Sequence, residues 1–342
     1  MDAATAAPHV APDAELLRLI FGKDVSMALA VAAKLRVADR LGEGPKAVDD
    51  LAAETGTHSP SLHRILRTLA SVGVFTERTD GVFALAPMGE YLCTGVKGAL
   101  RGLADALGSD WCWRSWGHAL EAVRTGRAAF DTLFGEPVFD YLGRHPDDSA
   151  VFNEALTGFR SNVAPAVASA YDFSSLGTVV DVGGGHGALL TTILRAYPRV
   201  KGVVYDAPHV AAGADVTIRE ADLQGRCRAV GGDFFEGVPA GGDAYLLKHI
   251  VHDWSDDEAT TILRHCRAGV NPGGKLLLVE MVVAPGDAAD VAKLIDLEML
   301  VNLTGRERTE AEYRRLLAGA GWRLTRVIPT ESPTQIVEAE PA

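Results

Sequence analysis

Apolar residues recur at helical spacing near the start of the chain. Leu16, Leu17, Ile20, Val25, Leu29, Ala32, Leu35 and Leu41 predict a helix over 15–41, stopped by Gly42-Glu-Gly-Pro45. Short helices follow over 48–54 and 59–71. Gly73-Val-Phe-Thr and Val82-Phe-Ala-Leu, joined through Thr79-Asp80-Gly81, read as a hairpin. Three helices and a small hairpin form a winged-helix layout. Residues 91–165 read as helical again, with Trp111, Trp113 and Trp116 clustered in a connecting layer.

From about Asp172 the period changes. Apolar, β-branched runs at 178–182, 200–205, 227–230, 244–249 and 275–283 predict five strands with helices between them. Such alternation means crossover units and a mostly parallel sheet buried on both faces. Ser255-x-x-Glu258 and Thr309-x-x-Glu312 are capping boxes that open two of the helices. Segments 322–329 and 334–338 predict a closing antiparallel hairpin. The expected organisation is a flexible tail at 1–12, a mainly α winged-helix-like domain at 13–95, a helical connector at 96–170 and an α/β domain at 171–342.

Composition narrows the function classes. With 342 residues and 47% hydrophobic, the chain suits two domains with sizeable cores. Lys+Arg is 33 against Asp+Glu 45, a net charge of −12, which counts against a protein that grips phosphate backbones. Over residues 1–100 the balance is 10 to 12, so the winged-helix region is not the basic module that DNA binding needs. The four cysteines, Cys93, Cys112, Cys227 and Cys266, form no C-x-x-C pair. That pattern is neither a zinc cage nor a disulfide framework. With no signal peptide and no apolar run of about 18 residues, a cytoplasmic protein without a membrane partner is expected.

The candidate chemistry begins at Asp181-Val-Gly183-Gly184-Gly185-His-Gly187, between a strand and a helix. Glycine lets the chain turn sharply and lets a ligand approach the backbone and the helix N-terminal amides. Asp206 ends the next strand, where a carboxylate can accept both ribose hydroxyls of an adenosine. NAD fits this much equally well, but a dinucleotide needs a second mononucleotide half, and here the sheet ends in a hairpin. Asp233 and Phe234 follow the third strand and suit an adenine, the acid taking the exocyclic amine and the ring stacking. Asp233 as a simple turn cap is the plainer alternative.

Five motifs occur in order: Asp181-Val-Gly-Gly-Gly-His-Gly, Tyr205-Asp-Ala-Pro-His, Gly232-Asp-Phe-Phe, Leu247-Lys-His-Ile-Val-His-Asp-Trp-Ser-Asp and Gly305-Arg-Glu-Arg-Thr. Together they resemble the S-adenosylmethionine-dependent O-methyltransferases of the caffeic-acid and hydroxyindole type, including bacterial members that decorate aromatic natural products. The resemblance covers nearly the whole chain. It implies a Rossmann-like class I methyltransferase sheet with a C-terminal antiparallel hairpin, and an N-terminal domain that forms a homodimer. It also implies S-adenosylmethionine as cofactor, S-adenosylhomocysteine as its product, and an aromatic small molecule as acceptor. Gly183, Gly184 and Gly185 would line the methionine end, Asp206 the ribose and Asp233 with Phe234 the adenine. Lys248 would flank the cofactor and Arg160 would reach its carboxylate. His252 matches the general base, and Glu280 and Glu307 match the acids that orient it. Asn302 lies at a substrate-facing position. His249 stands where plant members have Trp, which implies a differently shaped acceptor pocket. Thr304 precedes a single glycine where the family often has two.

The chemistry calls for such a set. A phenol near pKa 10 and an imidazole near 6.5 make direct proton transfer uphill by about 5 kcal/mol. A carboxylate on the far nitrogen raises imidazole basicity and fixes its tautomer. Trp113, Phe152 and Phe159 are candidates for an aromatic acceptor pocket, although aromatic residues at helical spacing are more often core. No metal is expected: on a strand His249 and His252 point to opposite faces, and no third ligand sits at suitable spacing. Two rival functions are a relative that binds the cofactor without methyl transfer, for example one supporting hydroxylation, and a winged-helix regulator with a small-molecule sensor. The regulator would read DNA with His58, His63, Arg64 and Arg67. The apolar segment 26–41 is expected to be a dimer surface.

Overall fold

The computed structural model describes residues 11–342, which form two compact units. One comprises residues 11–113 with Leu142–Ser161, the other Arg114–Tyr141 with Asn162–Ala342. Among the described residues no helix is long and apolar enough to cross a membrane.

In the first unit the single helix expected over 15–41 is three: Pro12–Ile20, Gly22–Lys34 and Val37–Leu41. Arg36 makes the second break, because its left-handed φ of 53° cannot continue a right-handed helix. The tail expected at 1–12 lies outside the described residues up to position 10, and Pro12 already opens a helix, a position that tolerates its missing N–H. Helices Val48–Thr55 and Ser59–Ser71 follow. Three short strands, β1 (Lys46–Ala47), β2 (Phe75–Thr79) and β3 (Val82–Leu85), pair antiparallel in the order β1-β3-β2. Gly81, at φ +76°, makes the β2–β3 turn.

Segment 26–41 turns most of its apolar residues inward. Ala28, Ala32, Val37, Ala38 and Leu41 pack with Leu51, Leu66, Leu69, Phe75 and Phe83 into this unit's own core. Val31 is exposed within the segment, and Leu16, Leu17, Leu19, Ile20 and Phe21 are exposed just ahead of it.

The second unit is built on seven strands: β4 (Thr178–Val182), β5 (Lys201–Asp206), β6 (Cys227–Gly231), β7 (Gly242–Lys248), β8 (Val270–Glu280), β9 (Trp322–Pro329) and β10 (Gln335–Pro341). Their order is β6-β5-β4-β7-β8-β10-β9, with β4 to β8 parallel and β10 antiparallel to both β8 and β9. This is the expected α/β sheet with its closing hairpin. Alternate residues feed two cores, Val180, Leu276 and Leu278 on one face and Val179, Leu277 and Val279 on the other. Both predicted capping boxes form, at Ser255/Glu258 and Thr309/Glu312. Strand order reverses between β4 and β7, so their C-terminal ends open the crevice where ligands bind in such sheets.

Trp111 is buried in the first unit against Phe152, with ring centroids 6.3 Å apart. Trp113 is exposed in the same unit, and Trp116 belongs to the second.

Candidate active site

The glycine loop leaves β4 at that crevice. Gly183 and Gly185 have φ of +68° and +58°, and Gly187, at +80°, caps the helix Ala188–Ala196. Gly183 is required twice over, since a Cβ there would overlap the side chain of Ile250. The loop is tied to β5: the amides of Gly183 and Gly184 donate to the Tyr205 carbonyl oxygen at 2.8 and 3.2 Å. Asp206, the last residue of β5, accepts from Gly185 N at 2.8 Å and from Ala207 N at 2.7 Å. A carboxylate has about four acceptor sites, so these two bonds orient Asp206 and leave capacity for a diol.

Asp181, quoted in the first motif but given no role there, lies beneath the loop. It is buried, a Cβ on Gly184 would meet its carboxylate at 2.9 Å, and its Oδ2 has no hydrogen-bond partner among the described residues. Burial pushes its carboxyl above the usual range, against the pull of Lys248 at the end of β7. A buried carboxyl with one unpartnered oxygen beneath the glycine loop fits a cationic ligand group, and so fits the methionine end of S-adenosylmethionine. After β6, Asp233 Oδ1 caps its own turn through Phe235 N at 2.8 Å. Phe234 stands edge-on to Trp254 at 6.0 Å.

The second half of the site follows β7. The strand stops at Lys248, and His249 takes a left-handed φ of 52°. A 3₁₀ turn, Val251–Asp253, then carries His252. The expectation that His249 and His252 face opposite ways is overturned, because period-two alternation ends where the strand does. Their rings are 5.2 Å apart, and both Nδ1 atoms face Glu280 Oε2, at 3.7 and 3.9 Å. Ligand atoms of His249, His252 and Glu280 all lie within 4.8 Å of one another. His252 Nδ1 is 2.7 Å from Glu307 Oε1, and its Nε2 is 3.3 Å from Asp253 Oδ1. Glu280 ends β8, the neighbour of β7, and its Oε1 also accepts from Ile250 N and Val251 N at 3.2 and 2.9 Å. Asp253 is no helix cap, since Ser255 fills that position.

His252, Glu280 and Glu307 are all buried. Burial works against the imidazolium of His252, but Asp253, Glu280 and Glu307 outweigh it and push its pKa from 6.5 up to about 9. Burial raises Glu280, and the neighbouring Glu307 and Asp253 add to this against the pull of His252. The structure thus brings together a strongly basic imidazole and two buried acids at a ligand-binding sheet edge.

Asn302 ends the helix Val291–Asn302 and is buried, its Nδ2 donating to Glu298 Oε2 at 3.0 Å. Glu298 Oε1 accepts from Trp116 Nε1 at 3.0 Å, so it bridges the two. Glu298 was missed from the sequence, although its four-residue spacing from Asn302 on one helix was visible. Trp113, Phe152, Phe159 and Arg160 belong to the first unit.

Known proteins share this fold. Residues 116–323 match the model of the O-methyltransferase domain, and residues 17–95 that of the O-methyltransferase dimerisation domain. The chain belongs to the O-methyltransferase family. It is 46% identical over 326 residues to a phenazine O-methyltransferase of Lysobacter antibioticus, covering 95% of each chain. It is 34% identical to an 8-amino-8-demethylriboflavin N,N-dimethyltransferase of Streptomyces davaonensis, covering 92% of this chain and 91% of that one. A solved O-methyltransferase from neocarzinostatin biosynthesis, in complex with S-adenosylmethionine and 2-hydroxy-5-methyl naphthoic acid, superposes with a TM-score of 0.82 at 34% identity. That match spans 98% of this chain and 100% of the other. The protein is therefore an S-adenosylmethionine-dependent O-methyltransferase, not a winged-helix regulator. Of the residues a regulator would use to read DNA, His63 is bound to Glu77 at 2.9 Å.

Proposed function

We propose that this methyltransferase methylates a phenolic or enolic hydroxyl on an aromatic natural-product scaffold, with His252 as general base and Glu280 and Glu307 as its orienting acids. The observation that carries the reading is the 2.7 Å contact of His252 Nδ1 with Glu307 Oε1 inside a buried acidic cluster. An ionised carboxylate only accepts, so the proton sits on Nδ1 and Nε2 is left to take a proton from the acceptor. Raising the imidazolium to about 9 brings it within about one pH unit of a phenol near 10, which reduces the uphill transfer from about 5 to about 1.4 kcal/mol. The bound cofactor supplies the methyl group on a sulfonium that is already a good leaving group.

Gly183, Gly184 and Gly185 hold the methionine end, Asp206 the ribose, and Asp233 with Phe234 the adenine. Lys248 flanks the cofactor. Asn302 and His249 line the acceptor side. The reading routes the proton through His252 and calls for no metal. A non-transferring relative would have no use for this buried set. The exposed Leu16–Phe21 run, together with the dimerisation-domain match, supports a homodimer through the N-terminal domain. Four free cysteines support a cytoplasmic location.

Incubation with methyl-labelled S-adenosylmethionine and a panel of hydroxylated phenazines, naphthoates, anthracyclines and phenolic acids tests this. Label transfer to a hydroxyl oxygen is expected. Cofactor binding without transfer to any phenol would overturn it.

A further inference from the structure

The turn carrying His252 is too short to hold itself. A three-residue 3₁₀ turn has little internal hydrogen bonding, so its geometry must be imposed from outside. Much of that restraint comes from residues 305–308. Arg308 is fully buried. Its Nη1 donates to the Val251 carbonyl oxygen at 2.8 Å and its Nη2 to the Trp254 carbonyl oxygen at 3.0 Å, so one guanidinium grips the chain on both sides of His252 and Asp253. Its Nε and Nη2 also donate to Asp256 Oδ1, at 3.0 and 2.8 Å. Gly305 touches the same turn, since a Cβ there would overlap the carbonyl oxygen of His252. Between these two residues Glu307 holds the ring itself. Residues 305–308 thus meet the base by backbone contact, ring hydrogen bond and guanidinium fork.

A fully buried guanidinium is expensive to desolvate and persists only with a full set of acceptors. Here two of those acceptors are the carbonyls that flank the base. Lysine would keep the charge but lose the planar fork that spans them.

We propose that Arg308 is a positioning residue for methyl transfer: it fixes the turn that sets the distance of His252 from its acids, with Gly305 admitting the close approach. This rests on the reading of His252 as base.

The test compares Arg308→Lys in the native and His252→Ala backgrounds. It reads turnover of a hydroxyphenazine, cofactor affinity by calorimetry and the His252 titration by NMR. Lysine preserves charge, so a changed titration reports geometry. Arg308→Lys is expected to lower kcat by about 10- to 100-fold, leave the cofactor Kd within about twofold, and move the His252 titration. In the His252→Ala background it should remove nothing more. An unmoved titration with native kcat overturns the proposal, and so does an equal loss in both backgrounds, which would mark a merely structural role. Native turnover in His252→Ala alone would instead sink the base reading. Should Arg308→Lys fail to fold, Asp256→Glu, which keeps the charge of the half-exposed carboxylate that anchors the fork but shifts its oxygens, carries the same comparison.

Discussion

Replacing Glu307 by Gln separates the two things this acid does for His252. Gln keeps the length of Glu and an oxygen that accepts from Nδ1–H, so ring orientation survives while the charge is lost. In the native protein, raising the imidazolium from 6.5 to about 9 corresponds to about 3 kcal/mol. That sum is net of a burial penalty and is shared by carboxylates at 2.7, 3.3 and 3.9 Å. Asp253 and Glu280 supply the larger charge contributions, and Glu307 adds a hydrogen bond and a smaller one, so the downward shift on losing its charge is partial. The sign is fixed: the raised value keeps His252 protonated up to about pH 9, so at pH 7 about one imidazole in a hundred is the free base. Glu307→Gln should move the His252 titration down from about 9 toward 6.5 and shift the rising limb of the pH–rate profile the same way. The plateau rate at high pH should fall, since a weaker base faces the same phenol. The assay is the NMR titration of the His252 ring, assigned with His252→Ala, beside kcat/KM from pH 6 to 10. A native titration close to 6.5, or one near 9 that Glu307→Gln leaves unmoved, would refute the reasoning.

Other outcomes follow from the same geometry. His252→Ala should bind S-adenosylmethionine normally by calorimetry yet lose about 10²–10⁴-fold in turnover, as expected for a lost general base; a native rate would show that positioning alone suffices. Asp206→Ala should weaken cofactor affinity itself and relax the glycine loop, because it removes the partner of Gly185 N as well as the ribose acceptor; unchanged affinity would take Asp206 out of the site. Asp181→Asn should raise the melting temperature of the unliganded protein at pH 8 while weakening the cofactor. The raised carboxyl of Asp181 costs stability as pH climbs from its ordinary value of 3.8 to about 7, so the gain should shrink as pH falls and vanish only below about pH 4.

What the sequence made legible was local. Strand period, capping boxes and positive-φ glycines each act within a few residues, so the α/β sheet, its closing hairpin and the loop at 183–187 could be read directly. Asp206 was legible because a strand end fixes its own last side chain. Arg308 was not. In a one-dimensional reading Arg306 and Arg308 are two charges in one motif, yet Arg308 is fully buried under the base turn while Arg306 is half-exposed beside Asp256. The single helix read over 15–41 failed similarly, because apolar spacing continues across Arg36 while the backbone does not.

His249 shows why such failures gather at the site. Alternation along 244–249 does not say where pairing stops, and the argument about opposite faces needed the strand to continue. Instead His249 N donates to the Val279 carbonyl oxygen at 3.0 Å, the last backbone tie to β8, and the chain then turns through a left-handed residue. For a non-glycine residue this costs of the order of 1–3 kcal/mol and persists only where the surroundings impose it. Those surroundings are the acids and the buried guanidinium that close around the turn. Ending the strand there swings His252 back over Glu280, the last residue of β8, and opens the reach to Glu307 some 55 residues on. A regular strand would have carried His252 past both acids. The local strain and the basic imidazole therefore share one origin, which lies in tertiary contacts that no local pattern records.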